Sequence, residues 1–170
     1  MATRSATGNA KRDAESQKSR RFDAFRLARE RARLAGSVDA AVLPRVADRV
    51  LQGPAPIEWR IDGAQDAFGR PAVAIALDGT IELECQRCLQ AQALPVHSRT
   101  LLVLARDDAD LARLDAESDD EVVLAGAPLD PAQLVEDELV LALPYAPRHT
   151  DGECVPPHVD GSDDTPDEAG

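Results

Sequence analysis

Between residues 57 and 83 the apolar side chains fall at every second position. Ile57, Trp59 and Ile61 alternate with Glu58 and Arg60, and Val73, Ile75 and Leu77 repeat the pattern before Ile81 and Leu83 extend it into Cys85. Successive side chains of an extended chain point to opposite faces, so a period of two predicts strands with one buried face. A helix would scatter the same residues around its whole circumference. The segment from Gly63 to Gly69 reads as a loop. Asp78-Gly79 reads as a two-residue hairpin turn, because both residue types tolerate positive φ. A returning strand over about 88–96 and another around 99–105 complete an antiparallel β-meander of four or five strands.

Helical signals flank this centre. Phe22, Phe25, Leu27 and Leu34 are interleaved with Arg21, Arg26, Arg29, Arg31 and Arg33, and Ala28 and Ala32 favour helix. This predicts a short basic helix or docking arm over 22–34, ending near Gly36. Val42, Leu43, Val46, Val50 and Leu51 predict a second short helix over 39–51, with Pro44 tolerated in its first turn. The third has the firmest boundaries. Asp130 can cap it, Pro131 suits its first position, Gln133 can close a capping box, and Pro144 stops it. The expected fold is therefore a single α+β domain, a meander with packed helices and a CxxC at a strand corner.

Charge divides the chain further. Residues 1–35 hold ten Lys/Arg against four Asp/Glu, about +6, while the remainder holds nine against twenty-seven, about −18. Residues 1–21 read as a disordered basic arm, 22–155 as the folded domain, and 156–170 as a disordered acidic tail. An acidic body repels phosphates, so any direct nucleic-acid contact should run through the arginines of the arm or through a small local patch. The same arginines could instead fold back on the body or serve solubility. The acidic run 106–121 reads as a solvated loop with a helical turn. No apolar run approaches the roughly 18 residues that span a membrane, and a cytoplasmic protein with no membrane partner is expected.

Three cysteines do not form a disulfide framework. Cys85 and Cys88 make a CxxC, and a CxxC at a strand corner points two thiolates at one place. Structural zinc takes four such ligands. Cys154 and His149 are the candidate partners, in a Cys3His set, with His97 and His158 as competing donors. Three other readings stand beside this one: small buried apolar cysteines, adventitious metal binding, and a redox dithiol. A redox CxxC belongs at a helix N-terminus, whereas both flanks here read as β.

Other catalytic apparatus is missing from the sequence. It contains no phosphate-cradling glycine loop, no nucleophile elbow and no HExxH. Glu136, Asp137 and Glu138 are successive helical residues about 100° apart, so they cannot converge, and they read as a solvated face or a docking surface. No catalytic residue or organic cofactor site is expected.

The strings IELECQRCL at 81–89 and LVEDELVLALPYAPRH at 134–149 resemble the YceD family, described as large ribosomal RNA subunit accumulation proteins. Residues 23–36 are similar in character to the same family, and the resemblance covers about 23–155. It implies a bacterial, cytoplasmic, non-enzymatic factor in the synthesis, processing or accumulation of large-subunit ribosomal RNA, in contact with that RNA or a pre-ribosomal particle. It also implies a zinc site, of which this chain keeps Cys154 and His149 after the last helix. An adaptor that recruits an RNA-processing enzyme and a thiol oxidoreductase are the alternatives.

Overall fold

The structure, a computed structural model, describes residues 21–51, 53–150 and 152–154. The basic arm before Arg21 and the acidic tail lie outside the described residues. The order of elements is α1 (Ala24–Glu30), β1 (Arg33–Asp39), a 3-10 turn (Ala40–Val42), β2 (Pro56–Gln65), β3 (Pro71–Glu84), β4 (Ala91–Ala105), α2 (Asp108–Glu117), β5 (Glu121–Leu124) and α3 (Pro131–Ala142). The five strands form one sheet in sequence order. Strands β1 to β4 are an antiparallel meander, but β5 runs parallel to β4. The domain is thus α+β, with a mixed sheet in place of the purely antiparallel one expected.

The alternation in β2 and β3 does what its period dictates. Ile57, Ile61, Val73, Ile75 and Ile81 are completely buried on one face, where Leu134, Val135 and Leu139 of α3 join the core. The hairpin expected at Asp78-Gly79 does not form, and β3 passes straight through it. Gly79 has no positive φ; it lies opposite Ile57, and a Cβ there would stand 2.6 Å from Ile57 Cδ1 and 2.9 Å from the Pro56 carbonyl oxygen. Close approach of two strands, not a turn, requires this glycine. The two strands expected over 88–105 are likewise one, β4. Pro95 is tolerated because β5 pairs only with Leu102–Ala105, leaving β4 an edge strand at that point.

Other boundaries also move. The helix expected over 22–34 stops at Glu30, because Arg31 enters the left-handed region (φ 49°, ψ 38°) and Ala32 N–H bonds back to the Leu27 carbonyl. Leu34, Gly36 and Val38 then pair with β2 as strand residues. Gly36 is not a helix stop but the floor under the Trp59 ring, whose Cζ2 would stand 2.7 Å from a Cβ there. Over 39–51 the expected helix is only one 3-10 turn followed by turns. Leu43, held before Pro44, is extended (φ −80°, ψ 118°), as the proline ring demands of its predecessor. Leu43 and Val46 still bury, and Val50 bridges to Leu83 of β3.

The acidic run is a ten-residue helix rather than a loop. The Asp107 side chain accepts from Asp110 N–H, and Arg113 links Asp110 and Glu117 one turn apart on either side. Its Leu114 packs on Val103 and Ala105, on the sheet face opposite the main core. The three carboxylates of α3 are not a solvated row either. Glu136 accepts from Arg45 N–H, Asp137 pairs with the Arg45 guanidinium, and Glu138 is buried, taking hydrogen bonds from Ser98 Oγ and Thr100 Oγ1 at 2.6 Å each. They engage three different places, which ties α3 to the 43–50 turns and to β4.

Helix α1 crosses the sheet at Gly63, where a Cβ would stand 2.0 Å from the Leu27 carbonyl oxygen. No rotamer change relieves a clash with backbone. Gly63→Ala is expected to lower stability by about 2–3 kcal/mol, as overpacking does, seen as a lower urea midpoint at unchanged slope. An unchanged midpoint would show that α1 is free to ride up.

Candidate metal centre

Strand β3 ends at Glu84 and β4 begins at Ala91, so Cys85 to Gln90 form the turn between them. Cys85 N–H donates to the Gln90 carbonyl and Leu89 N–H to the Cys85 carbonyl, both at 2.9 Å. Leu89 takes a left-handed conformation (φ 61°) to close the turn. This tight reversal folds Cys88 back toward Cys85, with both side chains buried.

The second half of the site arrives after α3. Gln86 N–H donates to the Pro147 carbonyl at 2.9 Å, and the Gln92 side-chain amide donates to the Arg148 carbonyl at 2.7 Å. The Arg49 guanidinium holds the Pro144 carbonyl from the other side. Three separate bonds thus lay residues 144–149 along the turn and place His149 beside it. Thr150 and Glu153 bond to each other through both side chain and backbone, which curls Cys154 back over the cluster.

The ligand atoms of Cys85, Cys88, His149 and Cys154 all lie within 4.8 Å of one another. Cys85 Sγ is 3.7 Å from Cys154 Sγ, and Cys88 Sγ is 3.3 Å from His149 Nδ1. A tetrahedral ion with Zn–S near 2.3 Å separates two sulfurs by roughly 3.8 Å, so the thiol spacing suits such an ion. The imidazole is oriented as a ligand should be. Its Nε2 stands 3.0 Å from the Ala91 carbonyl oxygen, which can only accept, so the proton sits on Nε2 and Nδ1 is left free to face the sulfurs.

The electrostatics favour thiolate at one position. Burial opposes charge on Cys85, but hydrogen bonds from the backbone N–H groups of Cys88, His149 and Arg87 outweigh it, and its pKa falls to about 5. Cys154 moves the other way, to about 11, through burial first and then through the sulfurs and charges of Cys88 and Cys85. A single thiolate therefore forms readily, while further thiolates in the same space need a cation to stabilise them. The four residues present fit a metal, and they could bind one.

Of the competing donors, His97 pairs instead with Asp78, at 2.7 Å, and His158 lies outside the described residues. The five arginines singled out in the sequence do not converge. Arg26 pairs with Glu30 and Arg33 with Asp62, while Arg21 and Arg31 are exposed. Arg29 borders a cavity together with Arg106 and Phe25. Sequence reasoning missed this grouping, for Arg106 lies some 80 positions from Phe25 and no local pattern links them.

A small sheet whose long hairpin turn meets a returning segment through three thiols and an imidazole defines a scaffold with the makings of a Cys3His metal site. Residues 73–169 match the family model described as "Large ribosomal RNA subunit accumulation protein YceD". That match spans more than half of the chain, and the chain belongs to the YceD family. No solved structure matches it. The match begins inside β3 and takes in the whole metal centre, while the arginines of residues 21–33 precede it. Among the described residues no helix is long and apolar enough to cross a membrane.

The reduced protein is expected to take up one equivalent of cobalt(II) with the visible absorption of tetrahedral thiolate coordination, and Cys88→Ser or His149→Ala should weaken uptake at least about tenfold, as loss of a ligand does. An octahedral cobalt spectrum in the wild type would contradict the site. Metal binding also carries a pH sign. The Cys85 pKa is depressed, so its contribution is present above the unfolded value and is lost as pH falls through about 5. Bound metal lowers that pKa further. Metal affinity is expected to fall as pH is lowered, because protons compete for the thiolates, in a chelator-indicator titration.

Proposed function

We propose that this protein is a non-enzymatic accessory factor whose metal-stapled sheet supports the accumulation of large-subunit ribosomal RNA, through contact with that RNA or with the assembling subunit. The observation that supports this reading most is the convergence of Cys85, Cys88, His149 and Cys154 inside the segment matched by the family. Cys85, Cys88 and His149 belong to the two strings that carry the resemblance, Cys154 follows the second of them, and here the four do one physical job. They join the β3–β4 turn to the chain that follows α3. Zinc is the metal this donor set suits best, since three thiolates and an imidazole in tetrahedral array are a structural site closed to substrate. When bound, it would supply a cross-link worth folding energy to a domain with little aromatic core.

A dithiol catalyst needs an accessible low-pKa thiol, usually at a helix N-terminus. Cys85 and Cys88 are buried in a turn between two strands, which favours the structural role. One observation supports the adaptor reading as a variant of the same function. Leu141 and Tyr145, at the end of α3, are 69% and 100% exposed. A protein partner that covered them would bring this factor to the ribosomal precursor indirectly.

Sucrose-gradient profiles of ribosomal particles from cells depleted of the protein test the proposal. A deficit of large subunits is expected, restored by the wild type and less well by Cys85→Ser/Cys88→Ser, with the protein sedimenting on large-subunit precursors. A normal profile, with the protein confined to the top of the gradient, would overturn it.

A further inference from the structure

A cavity bordered by charged side chains lies at the far end of the sheet from the cysteines. It measures about 760 Å³ and opens between the start of α1, the ends of β2 and β4, and the loop 125–128. That volume is in the range of sites that hold one small molecule or residue, about 300–1,000 Å³. Half of its lining residues are alanine or proline. Five side chains give it chemistry: Asp23, Phe25, Arg29, Gln65 and Arg106.

Arg106 stacks its guanidinium on the Phe25 ring at 5.1 Å, giving a flat cationic platform. Neither Arg29 nor Arg106 makes a salt bridge among the described residues, whereas Arg26 and Arg33 are held by Glu30 and Asp62. The nearby carboxylates are occupied. Asp23 caps α1 through Arg26 N–H, and Asp110 is taken by the Arg106 N–H and by Arg113. Gly126 lets the loop lie against the end of β4, since a Cβ there would stand 2.1 Å from the Arg106 carbonyl oxygen. The cavity therefore has a stacking surface, an unspent cation and an amide that both donates and accepts. The open face of the sheet offers less, for Arg60 is held by Asp62 and His97 by Asp78.

We propose that this cavity is where the protein touches RNA, taking one unpaired nucleotide of a single strand. The base stacks at the Phe25–Arg106 pair, Gln65 meets its edge, and Arg29 takes the phosphate. Stacking on an aromatic platform with arginine contacts to the backbone is the general chemistry of single-strand recognition. The inference rests on the ribosomal-RNA reading above and sharpens it. Of the five arginines expected to contact RNA, it assigns that role to Arg29, and it adds Arg106, which is distant in sequence but lines the same cavity just past the end of β4.

Fluorescence anisotropy of a labelled, unstructured RNA decamer against the full-length reduced protein, across a salt series, tests this. Arg29→Ala/Arg106→Ala is expected to weaken binding about tenfold or more, the scale of one lost stacked base. Arg29→Ala alone should flatten the salt slope by about 0.7, the value for one phosphate contact on a single strand. Gln65→Ala should change the preference among decamers of different base, and Arg26→Ala should leave binding as it was. Should the double variant not fold, Arg29→Ala and Gln65→Ala, both at exposed positions, carry the test. Wild-type-like binding by the variants, binding of free nucleoside monophosphate but not RNA, or no RNA binding by the wild type would each overturn the cavity assignment. If the variants bind normally while depletion still lowers large-subunit RNA in cells, only this inference falls and the broader function stands.

Discussion

The register of β3 against β4 governs the rest of the molecule. Thirteen residue pairs, from Ala72 opposite Val103 to Glu84 opposite Ala91, run without a bulge into the cysteine turn. Because side chains alternate, a slip of one residue would turn Ile75, Leu77, Ile81 and Leu83 out of the core and carry Ser98 and Thr100 away from Glu138. It would also shift Ala91 and Gln92, whose carbonyl and amide hold His149 and the segment before it. Packing of α3 and assembly of the thiol cluster are thus set by one ladder.

That ladder leaves the cysteine end of the domain weakly held by apolar contact alone. Beyond Leu83 the turn carries polar and charged residues, and the returning segment 144–149 is fastened by hydrogen bonds to backbone rather than by a core. Such bonds are modest individually. Four convergent ligands around one ion would convert a loose overlap of two loops into a fixed corner. The protonation states point the same way, for Cys85 is ready as thiolate while Cys154 resists ionising beside it. The opposite end of the sheet needs no such device, since α1 and the loop 125–128 close it by backbone contact at Gly63 and Gly126.

Much of this was legible in the sequence, and the exceptions have physical causes. The period of two in β2 and β3 survives because burial on one face enforces it. The cap and stop of α3 survive because Asp130, Pro131 and Pro144 act locally. The grouping of Cys85, Cys88, His149 and Cys154 was also legible, since the donor types are few and chemically distinctive. Asp78-Gly79 misled because glycine serves close approach as well as turns, and only the position of Ile57 decides between them. The acidic α2 was obscured because it is stabilised by capping and by Arg113 rather than by an apolar stripe. Strand β5 was missed because its four residues follow that acidic run, and they become a strand only by pairing with β4. Glu138 looked like one of three solvated acids, and its burial depends on two hydroxyls some 40 residues earlier.

Everything at the cysteine end turns on the proposed structural metal, held by three thiols and one imidazole at the β3–β4 turn. X-ray absorption at the zinc edge of the reduced, full-length protein tests it most directly. One zinc per chain is expected, in a shell of three sulfurs at about 2.3 Å and one nitrogen at about 2.0–2.1 Å. A shell of oxygen and nitrogen alone, or protein that stays free of metal when folded in the presence of zinc, would contradict it.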